Sequence, residues 1–177
     1  MKISNEQADY LLKLPKKIII KEKIQEQITI DQVFPFNYRY ELISEEDDEF
    51  SFLLEFQQSK KNRIRISFHH QDNDSKVGLL RIDYNSGHKN PEAINEFLPK
   101  KFHPYVGKIF SNNEHHIHYY VQGYRSLAWA LPLTDDKFEI KEINERSDFN
   151  NIFTDIIKIF AKTINIETRI EVNKLLL

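Results

Sequence analysis

Three β-rich runs, residues 38–44, 49–57 and 63–70, follow one another with only short polar turns between them, Glu45-Glu46-Asp47-Asp48 and Ser59-Lys60-Lys61-Asn62. Connections of that length join antiparallel neighbours, because a parallel pairing needs a crossover of about a dozen residues or more. The middle of the chain is therefore constrained to an antiparallel meander. In Arg63-Ile64-Arg65-Ile66-Ser67-Phe68-His69 the side chains alternate, so Ile64, Ile66 and Phe68 face one way and Arg63, Arg65 and His69 the other. One face is core and the other polar.

The flanking segments supply helices. Ser4-Asn5-Glu6-Gln7 reads as a helix start, with Ala8, Leu11 and Leu12 as its buried stripe and Pro15 as its stop. Residues 16–21 are short and β-branched and read as a strand, with residues 27–33 as its expected partner. A further strand is expected over 77–84, then the turn Asn85-Ser86-Gly87-His88-Lys89-Asn90-Pro91, a helical turn over 92–97 and an irregular stretch over 99–107. Residues 115–121 and 125–133 read as a hairpin around Gln122-Gly123-Tyr124. Residues 147–164 carry Phe149, Ile152, Phe153, Ile156, Ile157 and Phe160 at helical spacing, so this helix should lie across the sheet. Residues 166–177 suit a last strand or a short helix equally. The expected fold class is α+β: one domain over 1–177, mainly antiparallel sheet, packed by an N-terminal and a long C-terminal helix.

Composition narrows the function classes. The 177 residues are 40% hydrophobic and 29% charged, enough for one real core. There is no cysteine, so disulfides and thiolate-bound zinc are excluded and a reducing, cytoplasmic setting is expected. No signal-peptide core and no run of about 20 apolar residues is present, so neither secretion nor membrane insertion is expected. A net charge of −2 gives no global basic footprint for nucleic acid. Four glycines form no phosphate-binding loop, and the dinucleotide fingerprint, H-E-x-x-H helix and nucleophile elbow are all missing. Abundant isoleucine, lysine and asparagine suggest an AT-rich genome, such as that of a low-GC bacterium or its phages.

Seven histidines are concentrated between His69 and His118. In His115-His116-Ile117-His118-Tyr119-Tyr120, alternation places His116, His118 and Tyr120 on one face and His115, Ile117 and Tyr119 on the other. Paired imidazoles suit proton transfer near neutrality; the plainer alternative is a wet polar sheet face. Arg81, Asp83, His88 and Asn90 form a second group. If the hairpins are neighbours, His88 meets His116 or His118, and Arg81 offers fixed charge to a phosphate or carboxylate; otherwise Arg81 and Asp83 are an ion pair and Asn90-Pro91 a turn.

The run Leu80-Arg81-Ile82-Asp83, His88-Lys89-Asn90-Pro91, His116-Ile117-His118-Tyr119-Tyr120, Gly123-Tyr124 and Trp129-Ala130-Leu131-Pro132 resembles a family of small uncharacterised bacterial and phage proteins, a domain of unknown function. Gln7-Ala8-Asp9-Tyr10-Leu11-Leu12 and Leu14-Pro15-Lys16-Lys17 are similar to it too. The resemblance supplies no activity. It implies that His88, Asn90, His116, His118 and Tyr120 share one site.

Three functions compete. In the first, the chain is a metal-independent histidine ribonuclease of the toxin or host–phage conflict type. His88, His116 and His118 would be acid and base, grouped with Tyr120, while Arg81 or Arg63 and Arg65 stabilise charge; Asp83, Asn90 and His69 would complete the RNA contacts without metal or cofactor. In the second, it is an inhibitor or adaptor for a protein partner, with acidic residues 45–49 and basic turns at Lys16-Lys17 and residues 60–65. In the third, His116 and His118 hold a divalent metal with His88 or Asp83. A cupin-like version lacks its glutamate, since Val121 and Gln122 stand in the expected positions. Trp129 is expected as a core anchor rather than a base-stacking platform.

Overall fold

The computed structural model describes residues 3–62, 64–144, 146 and 148–173. Helix α1 (Asn5–Lys13) starts with a capping box: Ser4 Oγ accepts from the Gln7 amide and the Gln7 side chain accepts from the Ser4 amide. These bonds satisfy two of the N–H groups a helix start leaves free. Ala8 and Leu11 are buried, and the chain leaves the helix at Leu14 before Pro15.

The strands are β1 (Lys17–Ile20), β2 (Lys23–Gln25), β3 (Gln27–Asp31), β4 (Asn37–Ile43), β5 (Ser51–Gln58), β6 (Ile66–Asp72), β7 (Gly78–Tyr84), β8 (His88–Lys89), β9 (Ile109–Phe110), β10 (His116–Tyr119), β11 (Trp129–Pro132) and β12 (Arg169–Asn173). Eight form one antiparallel sheet in the order β11-β10-β7-β6-β5-β4-β1-β2. The meander is its centre. Helix α2 (Phe149–Thr163) begins at Asp148, whose side chain accepts from the Asn151 amide. The architecture is α+β, with a helix towards each end of the chain.

Alternation gives the sheet two unlike faces. Phe52, Leu54, Phe56, Phe68, Ile82 and Ile117 form the core face, where Phe68 lies 5.7 Å from Phe160 of α2 and 6.5 Å from Phe153. The opposite face carries two transverse polar rows. In register across β5, β6, β7 and β10, one row is Glu55, His69, Arg81 and His118, and the next is Gln57, Ser67, Asp83 and His116.

Several expectations are corrected. Strand β1 pairs with β2 and β4, not with residues 27–33, because Lys21 and Glu22 adopt positive φ (50° and 62°) and turn the chain back at once. Strand β3 instead pairs in parallel with β12, which resolves 166–177 as a strand within the described residues. Residues 92–97 are irregular, and the helical turn is a 3-10 segment at Lys100–Tyr105. Strand β6 starts at Ile66, so Arg65 lies in the preceding turn, where its amide donates to the Asn62 carbonyl. Arg63 lies outside the described residues. Lys16, expected in a basic turn, is fully buried: its ammonium donates to the carbonyls of Leu12, Leu14 and Ile164. Among the described residues no helix is long and apolar enough to cross a membrane.

Candidate metal centre

Antiparallel register between β7 and β10 sets His116 opposite Asp83 and His118 opposite Arg81. The side chains converge on the polar face: His118 Nε2 is 3.1 Å from Asp83 Oδ2, and His116 Nε2 is 3.8 Å from the same oxygen. One ligand atom from each of Asp83, His116 and His118 falls within 4.8 Å of the others. Donors sharing one ion at about 2.0–2.2 Å stand roughly 3–4 Å apart, and both imidazole–carboxylate distances fall in that range.

The short β8–β9 ladder covers this end of the sheet. The Phe110 ring lies 4.6 Å from His116, and the His88 ring lies 4.5 Å from His118 and 5.7 Å from His116. Asn90 ties the cover to edge strand β11. Its Oδ1 accepts from the Ala130 amide and its Nδ2 donates to the carbonyls of Ala130 and Tyr105, so one side chain satisfies backbone groups that an edge strand would leave open. His88 Nε2 faces two acceptors, Asn90 Oδ1 at 3.1 Å and the Ala128 carbonyl at 3.0 Å, so it carries the proton.

The same logic fixes His118. Its Nδ1 lies 2.9 Å from the Leu127 carbonyl, which only accepts, so Nδ1 donates and Nε2 presents its lone pair to the site. Backbone orientation of a ring through its second nitrogen is the usual arrangement around a metal-bound histidine. That lone pair and the Asp83 carboxylate face each other, which demands a cation. Arg81 supplies one, with Nε 2.8 Å from Asp83 Oδ2 and Nη2 3.0 Å from His118 Nε2. His116 is left out: it is completely buried, and neither ring nitrogen has a hydrogen-bond partner among the described residues. Such orphaned polar atoms call for an ion or a water.

The electrostatics keep ligands available. Burial pushes His116 down to about 3, assisted by neighbouring His118, and pushes His118 down to about 4 against the opposing pull of Asp83. Burial also lowers His88 and His69. Burial raises Asp83, but the Arg81 guanidinium beside it and the Ser67 hydroxyl outweigh it and hold the carboxyl well below the usual range. At neutral pH the site offers a carboxylate and neutral imidazoles, the forms that bind metals.

The structure thus brings together Arg81, Asp83, His88, Asn90, His116 and His118. Tyr120 is not among them: β10 ends at Tyr119, and the Tyr120 hydroxyl donates to the Ile3 carbonyl instead. His69 is the cross-strand neighbour of Arg81 and bonds Gln71, one strand removed from the histidines. Arg65 lies further out, bonded to Ser86. The complete burial of His116 and His118 corrects the wet-face alternative. Trp129 is buried against Phe102 and Tyr124, as a core anchor. Phe110, Ser67 and Ser86 were not singled out from the sequence; alternation pointed to Ser67, while nothing local marked the other two.

The model of a family of unknown function, DUF6978, matches residues 3–166. The chain belongs to that family. All six clustered residues fall within the span it shares with DUF6978. No curated protein and no solved structure matches the chain.

Proposed function

We propose that this protein is a metalloprotein that holds one divalent transition ion of the zinc–iron class on Asp83, His116 and His118. The carrying observation is that three ligand atoms lie within 4.8 Å of one another while both nitrogens of buried His116 lack a hydrogen-bond partner among the described residues. Two imidazoles and a carboxylate suit zinc or ferrous iron. Three protein ligands leave coordination positions open, and an ion held so supplies Lewis acidity, which makes the reading a catalytic centre rather than a purely structural one. Asp83 lines a cavity of about 450 Å³ and His88 a second of about 780 Å³, with Arg81 on the wall of both. A ligand therefore approaches through Arg81.

The ribonuclease reading asks His116 and His118 to exchange protons with an RNA backbone, and their burial speaks against that contact. The adaptor reading gains no specific observation. One experiment separates them: strip the protein with chelator, add back zinc or ferrous iron, and follow ion stoichiometry, melting temperature and cleavage of total RNA in parallel. The metal reading expects about one ion per chain and, at a hundredfold excess over Kd, about 2.7 kcal/mol of stabilisation, or roughly 5–10 °C. His116→Leu and Asp83→Asn should fold yet bind the ion roughly a hundredfold more weakly. Uptake unaffected by both substitutions refutes it, and so does RNA cleavage in excess chelator that His116→Leu abolishes.

A further inference from the structure

The cavity beside Asp83 has an unusual wall. Two guanidiniums, Arg65 and Arg81, and three hydroxyls, Ser59, Ser67 and Ser86, face a space of about 450 Å³. Arg65 is steered there by its bond to Ser86 Oγ at 3.2 Å, and it makes no ion pair among the described residues. Its charge is available to a ligand.

Arg81 is committed to Asp83 and His118, occupying the place a cation takes. A divalent ion on those two groups displaces it, because the single lone pair of His118 Nε2 and the Asp83 Oδ2 that the guanidinium now contacts are the atoms the ion would take. Its side chain is 32% exposed, so it has room to turn outward into the cavity it already lines. Metal uptake then leaves a divalent ion and two guanidiniums set against a single carboxylate. That excess suits a dianion. Arginine forks match the geometry of phosphoryl oxygens, and the Ser59 and Ser86 hydroxyls, whose oxygens accept from Lys61, Asn62 and Arg65, keep their protons to donate to such a group. The net charge of −2 argues against a long polyanion.

We propose that this cavity binds the phosphoryl group of a phosphomonoester, anchored by Arg65 and Arg81 beside the metal, and that metal uptake releases Arg81 to the anion. The proposal rests on the metal reading above. Metal and phosphoester binding are therefore coupled, each tightening the other by the same factor.

The test is calorimetric titration of phenylphosphonate, a non-hydrolysable phosphomonoester mimic, into zinc-loaded protein, chelated protein and Arg65→Gln, with ion stoichiometry measured on each. A short oligoribonucleotide serves as the diester arm. Zinc-loaded protein should bind phenylphosphonate, with affinity weakened roughly tenfold or more both by R65Q and by chelation, while R65Q retains its ion. Protein that carries its ion but ignores phenylphosphonate overturns the anion site and leaves the metal reading intact. Tighter binding of the oligoribonucleotide than of phenylphosphonate also overturns it. Phenylphosphonate binding that depends on Arg65 in a chain that takes up no ion supports the cavity and overturns the metal reading instead.

Discussion

Replacing Lys16 by methionine should cost the fold about 2–4 kcal/mol. The ammonium lies 2.7 Å from the Leu14 carbonyl, 3.0 Å from that of Ile164 and 3.2 Å from that of Leu12. It thus joins the carboxyl ends of both helices, where unpaired carbonyls accumulate negative charge. Methionine fills the same buried volume but loses the ammonium that sits 4.8 Å over the Phe52 ring and leaves these carbonyls dry, at about 1–3 kcal/mol for each buried acceptor, partly offset because no charge is then buried. For a chain of this size that is a fall of roughly 5–15 °C in melting temperature. Burial pushes the lysine down to about 7, while in the unfolded chain it titrates near about 10.4. Between those values the unfolded state binds the extra proton, so stability rises with pH through that window, by up to about 1.4 kcal/mol per unit, and is flat below it. Urea unfolding of parent and Lys16→Met from pH 6 to pH 9.5 measures both effects. Parallel curves with equal midpoints would refute the reasoning.

Asn90→Ala should lower stability by about 2–3 kcal/mol, because the Ala130 amide and carbonyl and the Tyr105 carbonyl all lose a partner. Hydrogen exchange should show the Ala130 amide deprotected well before the β5–β6 ladder opens, and unchanged exchange there would contradict the stapling role. At Gly78 an added Cβ would stand 2.5 Å from Leu127 Cδ1 and 2.9 Å from Ser126 Oγ. Gly78→Ala should therefore cost about 1–3 kcal/mol and, by shifting the Leu127 carbonyl that orients His118, weaken zinc binding roughly tenfold; normal zinc affinity in a destabilised variant would separate packing from orientation.

Local rules made much of this legible. The Ser4 cap, the meander and the core stripe of α2 depend on spacing within a few residues, and so does the sharing of one strand face by His116 and His118. The grouping with Arg81, Asp83, His88 and Asn90 followed from hairpins being neighbours. What sequence hid is contact at a distance. Lys16 reads as a solvated charge because its third acceptor, Ile164, is 148 residues away. Strand β3 looked like a partner for β1 because nothing nearby announces β12, and neither Lys21 nor Glu22 is a residue type that signals positive φ. The burial of His116 depends on a cover made from two strands of two residues each, with Phe110 as its apolar contact, too little periodicity to read.

That cover bears directly on the proposed metal site. On an open polar face, water would satisfy both nitrogens of His116 and the carboxylate of Asp83 without cost. Beneath Phe110 and the β8–β9 ladder both nitrogens of His116 are buried with no hydrogen-bond partner among the described residues, and an apolar side chain in place of His116 would pack the same space without orphaned atoms. With neither ion nor water beside it, the imidazole lowers the stability of the fold. Arg81 offsets this only for Asp83 and His118, and no nitrogen of its own reaches His116 with a hydrogen bond. Under the proposed reading, a single cation among the three ligand atoms would take one nitrogen of His116, the lone pair of His118 and the Asp83 carboxylate together, and would free the one guanidinium that can turn outward. Covering strand, orphaned imidazole and misplaced arginine are in this sense one arrangement, whose parts fit once an ion is bound.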